Sequence, residues 1–203
     1  MLEMPKPVIN DALLAAGFAP EFPVHDLTDV NLKPMVDAMS MILDNHAPFP
    51  AIIIDSGWQI IGGNKPAIHM MTFLPLNGSM NIVDALLNDK PADPVFLNWD
   101  EIAAWTLTRL QLETSRLGPT AALSEFYRKL ANDPRCAALS QTIDAGKRPY
   151  LTMKARIEGR DLSLFTMLAE FTTAQDIAMS ERRVELFFPA DDGTRDYFQS
   201  LSL

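Results

Sequence analysis

The side chains best suited to chemistry are His25, His46 and His69, the single cysteine Cys136, and the carboxylates Asp176, Glu181 and Glu185. A transition-metal centre needs three or four such ligands at short, matched spacings. Here the histidines are scattered, and none stands at ligand spacing from another or from Cys136, so each reads as a surface or internally satisfied polar residue. Gly62-Gly63-Asn64 follows an apolar run, as a phosphate loop would. Both the dinucleotide fingerprint and the Walker lysine-serine pair are missing, and the glycines read instead as easing a strand into a helix cap. The three carboxylates fall near strand ends and read as solvated or paired, since nothing marks one of them for general acid–base work.

The elements that carry these residues come from a chain of ordinary globular composition. Its 203 residues are 48% hydrophobic and 21% charged, enough for one sizeable domain without staples. A lone cysteine offers neither an internal bridge nor a zinc cage, which points to a reducing, cytoplasmic setting. The net charge of −9, from 26 acidic against 17 basic residues, repels a phosphate backbone and makes this chain alone a poor nucleic-acid binder. The start "MLEMPKPVIND" lacks the pattern of a signal peptide. No apolar stretch approaches the roughly 20 residues that span a bilayer, so no membrane partner is expected.

Residues 1–24 are punctuated by Pro5, Pro7, Pro20 and Pro23 around the helical fragment "NDALLAAGF", with Asn10 as its expected cap and Gly17 as its stop. Met35, Met39 and Ile42 then mark an amphipathic helix of about three turns, closed by Pro48 and Pro50. In "AIIIDSGWQIIGGN" (51–64) two β-branched runs flank a two-residue turn at Ser56-Gly57, which would set Ile54 opposite Gln59 and Ile53 opposite Ile60. Asn64 can cap the next helix, which has Pro66 in its first turn. Two short helical pieces lead to "NWDEIAAWTLTRLQLETSRLG". There Asn98 and Glu101 form a capping-box pattern, and Trp99, Ala103, Leu107, Leu110, Thr114 and Leu117 share one face before Gly118-Pro119. A further helix ends before Pro134.

The last third alternates with period two. Met153, Ala155 and Ile157 lie on one face, and a turn at Gly159-Arg160 would pair Ile157 with Leu162, Ala155 with Leu164 and Met153 with Thr166. Phe165, Met167, Ala169 and Phe171 occupy the opposite face of the second strand, which therefore reads as central and covered on both sides. A last strand, "RVELFFPA", precedes a short tail. The expectation is an α+β domain: a five-stranded antiparallel sheet with helices inserted after the first hairpin and an N-terminal helix over the outer face.

Four stretches go further than this layout: "LLAAGFAP" (13–20), "PFPAIIIDSGWQIIGGN" (48–64), "LNWDEIAAWTLTRL" (97–110) and "GRDLSLFTMLAEFTTAQDIAMSERRVELFFPAD" (159–191). In these the chain resembles the PAS-like ligand-binding domain of MmyB-like transcription regulators, which follows an XRE-type helix-turn-helix in bacterial repressors and activators. The resemblance implies a linker or helix-turn-helix remnant at 1–24 and a sensor domain at 25–203. It implies DNA contact only through a helix-turn-helix that is not in this chain, which is then a cut piece or a stand-alone sensor. Thr172 and Ala174 stand where the family often has glycine and proline. A haem ligand at His69 is conceivable in a PAS-like fold, but no motif supports it. No cysteine closely follows Asn64, so a flavin-linked photosensor is not supported either. No cofactor is expected.

Eleven methionines and eleven phenylalanines, many on inward positions, suit a pocket for flexible apolar ligands, although methionine also fills ordinary core gaps. With the resemblance, they give an expected site between the long helix and the sheet: Met70, Trp99, Ala103, Leu107, Met153, Leu164 and Thr166, with Arg109 facing an acid head group. The expected guest is a small hydrophobic molecule such as an acyl chain, and the expected assembly is a homodimer whose geometry responds to it. The competing readings are an interaction module with a filled core, or an enzyme with an unrecognised site.

Overall fold

In "IIGGNKPA" the backbone turns from strand to helix through a close approach that favours glycine. A Cβ on Gly63 would stand 3.0 Å from the carbonyl oxygen of Ala51 and 3.3 Å from the Ala67 Cβ. Asn64 then caps the helix, accepting from Ala67 N at 3.1 Å and from Ala51 N at 3.0 Å while donating to the carbonyls of Leu43 and Phe49. One buried amide thus ties strand, helix and preceding loop together, as the sequence leads one to expect of the cap.

The computed structural model describes residues 4–117, 121–136, 139, 150–171 and 174–201. Five strands, β1 (Ala51–Ile54), β2 (Ile60–Gly63), β3 (Met153–Ile157), β4 (Arg160–Glu170) and β5 (Arg183–Pro189), form one antiparallel sheet in the order β2-β1-β5-β4-β3. Four helices, α3 (Lys65–Met71), α4 (Ile82–Asn88), α5 (Trp99–Leu117) and α6 (Ala121–Ala131), are inserted between β2 and β3. This is the PAS-like α+β arrangement. A helix at the N-terminal side, α2 (Lys33–His46), covers the outer face of β1 and β5, where Met39, Leu43, Ala51, Met179 and Val184 are buried together. Its 14 residues make about four turns rather than three.

Several local expectations are corrected. The first hairpin turns through five residues, because the Asp55 carboxylate accepts from Gly57 N and Gln59 N and holds Trp58 at φ 61°. Ile54 consequently pairs with Ile60, and a bulge sets Ile53 opposite Gly62. In the second hairpin Glu158 and Gly159, both at positive φ, form the turn, so Ile157 pairs with Arg160, Ala155 with Leu162 and Met153 with Leu164. The turn favoured is the one with glycine second. The slip is two residues, so every side chain keeps its face. β4 has a strand on both sides only at Leu164: Arg160–Leu164 pair with β3, Leu164–Glu170 pair with β5, and Met167 and Leu168 are exposed. Phe165 stacks on Phe188 at 5.5 Å, which in turn meets His46 edge-on.

Asn98 does not close a capping box. Its side-chain oxygen accepts from Lys154 N, while its amide donates to Thr152 O and to Glu101, fastening the start of α5 to β3. Asn10 lies inside α1 (Lys6–Ala15), and its side chain instead binds the Glu21 and Phe22 backbone. Gly17, at φ 81°, does end α1, with Phe18 N reaching Leu13 O and Gly17 N reaching Leu14 O. A short helix, α7 (Ile177–Ser180), precedes β5, and the expected tail is a helix, α8 (Asp192–Ser200). Asp191 caps α8, which drives Tyr197 and Phe198 into the main core. Thr172 and the Gly118-Pro119 stop lie outside the described residues. Ala174 is buried against the outer-face cluster.

Candidate functional site

The inner face of β5 carries an unusual row. Arg183, Glu185 and Phe187 alternate with Val184, Leu186 and Phe188, and it is Val184 and Leu186 that face the outer cluster under α2. The two charged residues therefore point under α5. Register sets Arg183 beside Ile54 and Glu170, and Glu185 beside Ile52 and Leu168. α5 meets this row with its own polar stripe, Thr106, Arg109 and Glu113, preceded by Ile102. The spacing of three and four residues keeps the four on one face.

An ion cluster results. Arg109 Nε lies 3.1 Å from Glu113 Oε1, and Nη1 lies 3.4 Å from Glu185 Oε1. Arg183 reaches Glu113 Oε2 at 2.7 Å and Glu170 Oε1 at 3.1 Å. The Trp58 indole donates to Glu113 Oε2 at 2.8 Å, and the Arg109 guanidinium lies 4.6 Å from the centre of the Trp58 ring. Burial pushes the Glu113 carboxyl up, but the hydrogen bonds from Trp58 and Arg183, with the charges of Arg183 and Arg109, outweigh it and hold the group below its ordinary range. Arg109 Nη2 is buried and has no acceptor among the described residues.

Beside this cluster lies a cavity of about 220 Å³. Its floor is Ile52, Ile54, Leu164, Thr166, Glu185 and Phe187 of the sheet. Trp58, Ile60 and Met70 close one side, Tyr150, Leu151 and Met153 another, and Ile102, Trp105, Thr106 and Arg109 of α5 form the roof. The space exceeds the roughly 150 Å³ void that admits benzene and falls below the roughly 300–1,000 Å³ of sites for drug-sized ligands. It is apolar at one end and polar at the other.

Of the eight residues expected to surround a ligand, the structure brings together Met70, Met153, Leu164, Thr166 and Arg109. It does not bring Trp99, Ala103 and Leu107 to the cavity. The Trp99 indole donates to Leu86 O at 2.8 Å and lies under the Arg135 guanidinium, Ala103 is fully buried, and Leu107 packs on the apolar core. The reason is helical phase: α5 spends that apolar stripe on packing against α4 and α6, and the stripe that faces the sheet is about 100° away. Ile102 and Thr106 were missed for this reason; Trp58, in the first hairpin turn, and Glu185, on β5, also line the cavity and were not expected there. Arg109 is neither a free cation nor a surface residue.

The other chemical candidates resolve into structure. Asp176 caps α7 through Met179 N and also accepts from His25 N and holds His25 Nδ1 at 2.8 Å. His69 Nε2 meets the Tyr197 hydroxyl at 3.2 Å. Burial, with the charge of Asp133, pushes the Cys136 thiol up to about 11, so it is inert as a nucleophile near neutrality. Among the described residues, no group of three His, Cys, Asp or Glu side chains could hold a metal ion, and no helix is long and apolar enough to cross a membrane.

Sheet order, inserted helices and an apolar cavity under the longest helix define a PAS-like domain built around an internal space. Residues 35–201 match the MmyB-like transcription regulator ligand binding domain, and the chain belongs to that family. Among solved structures, the PAS domain from Bordetella pertussis BvgS is similar over 83% of this chain and 99% of its own, at 11% identity and a TM-score of 0.35. No curated protein matches the sequence.

Proposed function

We propose that this domain is a non-enzymatic sensor that takes a small hydrophobic molecule, of fatty-acyl character, into the cavity beneath α5. The observation that carries the reading is the cavity itself, in a domain whose family is a regulator's ligand-binding module. A packed interaction module has no use for such a space, because a void forfeits contacts on every wall. The interaction-module alternative therefore stands second. In this reading the protein acts in the cytoplasm, DNA contact belongs to a helix-turn-helix separate from this domain, and a second copy of the chain completes the response. A guest that prefers one arrangement of sheet and α2 over another shifts the balance between them, which is all that transmission requires.

The test is direct. Solvent extraction and native mass spectrometry of purified protein should recover a retained lipid-like molecule. Emptied protein should gain thermal stability on adding medium-chain amides or acids, because any guest that prefers the folded state raises its apparent stability. No retained molecule, together with a melting temperature indifferent to every such probe, would leave the interaction module as the better account.

A further inference from the structure

The polar end of the cavity bears on which head group a guest presents, an inference that rests on the sensor reading above. We propose that the site selects an acyl compound with an uncharged carbonyl head, an amide or ester, over the corresponding free acid.

The argument is one of charge and of a cation that is already paired. Two guanidinium groups, Arg109 and Arg183, already face three carboxylates, Glu113, Glu170 and Glu185, at 2.7–3.4 Å. Arg109 and Arg183 are each mostly buried, and Glu113 and Glu185 are as well. These four buried charges balance, and Glu170, exposed at the rim, tips the cluster negative before any guest arrives. A carboxylate would enter as a fourth anion in a partly desolvated place, where like charges repel far more than in water. A neutral carbonyl brings no such charge, yet still supplies an acceptor.

Arg109 has no free bond to offer an acid. Its Nε and Nη1 are held by Glu113 and Glu185, and Nη2 is closed off from the cavity. A carboxylate drawn in beside it would lose its water without gaining an unpaired cation. Thr106 in the roof and Thr166 in the floor are the small polar side chains left to meet a neutral head group. The expected contact of Arg109 with an acid head is thereby revised: the guanidinium lines the site as an already paired charge.

The experiment compares octanamide, methyl octanoate, octanoate and octane at pH 7.5 on the full chain, by displacement of a fluorescent apolar probe or by calorimetry. Octanamide should bind at least tenfold more tightly than octanoate and more tightly than octane. Glu185→Gln removes one anion with little change of shape. It should raise the affinity for octanoate relative to octanamide about tenfold. Octanoate equal to or tighter than octanamide in the unaltered protein would overturn the head-group proposal while leaving the cavity reading intact. So would octane binding as well as octanamide. Binding of none of the four would overturn both. The comparison among guests needs no variant, so it stands even if Glu185→Gln folds poorly.

Discussion

The two ends of the inner core are built from the same elements, yet only one is filled. Near the β3–β4 turn, Phe96, Ala155, Ile157, Leu162 and Phe198 are closed on one another, each at most 2% exposed. Toward the first hairpin, the sheet and α5 stand over Trp58, Thr166 and Phe187 with a cavity between them. The difference follows from what each end asks of its side chains. At the closed end α8 inserts Tyr197 and Phe198 to complete the packing, and the one hydroxyl this brings in, on Tyr197, is met by His69 and Glu158. At the open end the facing surfaces carry Arg109, Glu113, Arg183 and Glu185, whose mutual bonds hold helix and sheet in position without filling the space beside them. An ion cluster can act as a spacer. Hydrophobic packing cannot, because it closes whatever gap it meets.

The outer face resembles the closed end, and there the largest effect is expected. Met39 is 3% exposed between α2 and the sheet. Met39→Asp would bury a charge without a partner and should prevent cooperative folding or cost more than ~4 kcal/mol. Loss of near-UV circular dichroism or of a sharp urea transition would register it, and an unchanged transition would show that α2 is not a packed cover. Because Met39 is buried within a single chain, this variant reports on the fold and not on the dimer. Next in size is Phe198→Ala at the closed end, with an expected loss of ~3–5 kcal/mol in urea unfolding. A loss under ~1 kcal/mol would mean that the closed end is not closed.

How much of this was legible in the sequence depends on which force wrote the pattern. Apolar alternation in 151–164 gave the inner face of β3 and β4 correctly even though the turn was placed one residue late, since a two-residue slip preserves parity. Asn64 and Gly17 were readable because caps are local chemistry. The face of α5 was not, because Trp99, Ala103 and Leu107 are more apolar than Ile102, Thr106, Arg109 and Glu113, and an apolarity ranking selects the stripe that packs on other helices. Arg183 and Glu185 mislead in the same way: charged residues alternating along a strand read as a solvent face, whereas here they turn inward toward α5. The polar part of the site is what sequence patterning is least able to place. α8 was hidden too, its first turn holding Asp192 and Gly193 and its buried aromatics only two residues long.

The spacer itself can be weakened. Glu113→Gln keeps the shape but removes the anion that joins Arg109, Arg183 and Trp58, and should cost ~1.5–3 kcal/mol at pH 7. The folded protein holds the Glu113 carboxyl below its ordinary value of 4.5. Its contribution is therefore present above that pH and is lost as pH falls through the lower, folded value. The gap between the unaltered protein and Glu113→Gln should thus be widest near neutrality and narrow below about pH 4.5. A gap that widens on acidification would contradict the geometry of the cluster.

The sharpest comparison uses one substitution at both ends. Ala155 belongs to the closed end and Thr166 to the cavity floor, and both point inward from neighbouring strands. Ala155→Phe forces a ring into a place already filled, so strain should lower stability by ~1–3 kcal/mol. Thr166→Phe puts the same ring into empty space, where new contacts offset the lost hydroxyl, and stability should change by less than ~1 kcal/mol. Binding of a medium-chain amide should respond in the opposite order. Thr166→Phe should abolish it by occupying the guest's place, while Ala155→Phe, if folded, should reduce it only modestly. If Thr166→Phe costs as much as Ala155→Phe, the space beneath α5 is closed in solution and the two ends are alike. If it is tolerated but the amide still binds with undiminished affinity, the cavity is real and the guest sits elsewhere.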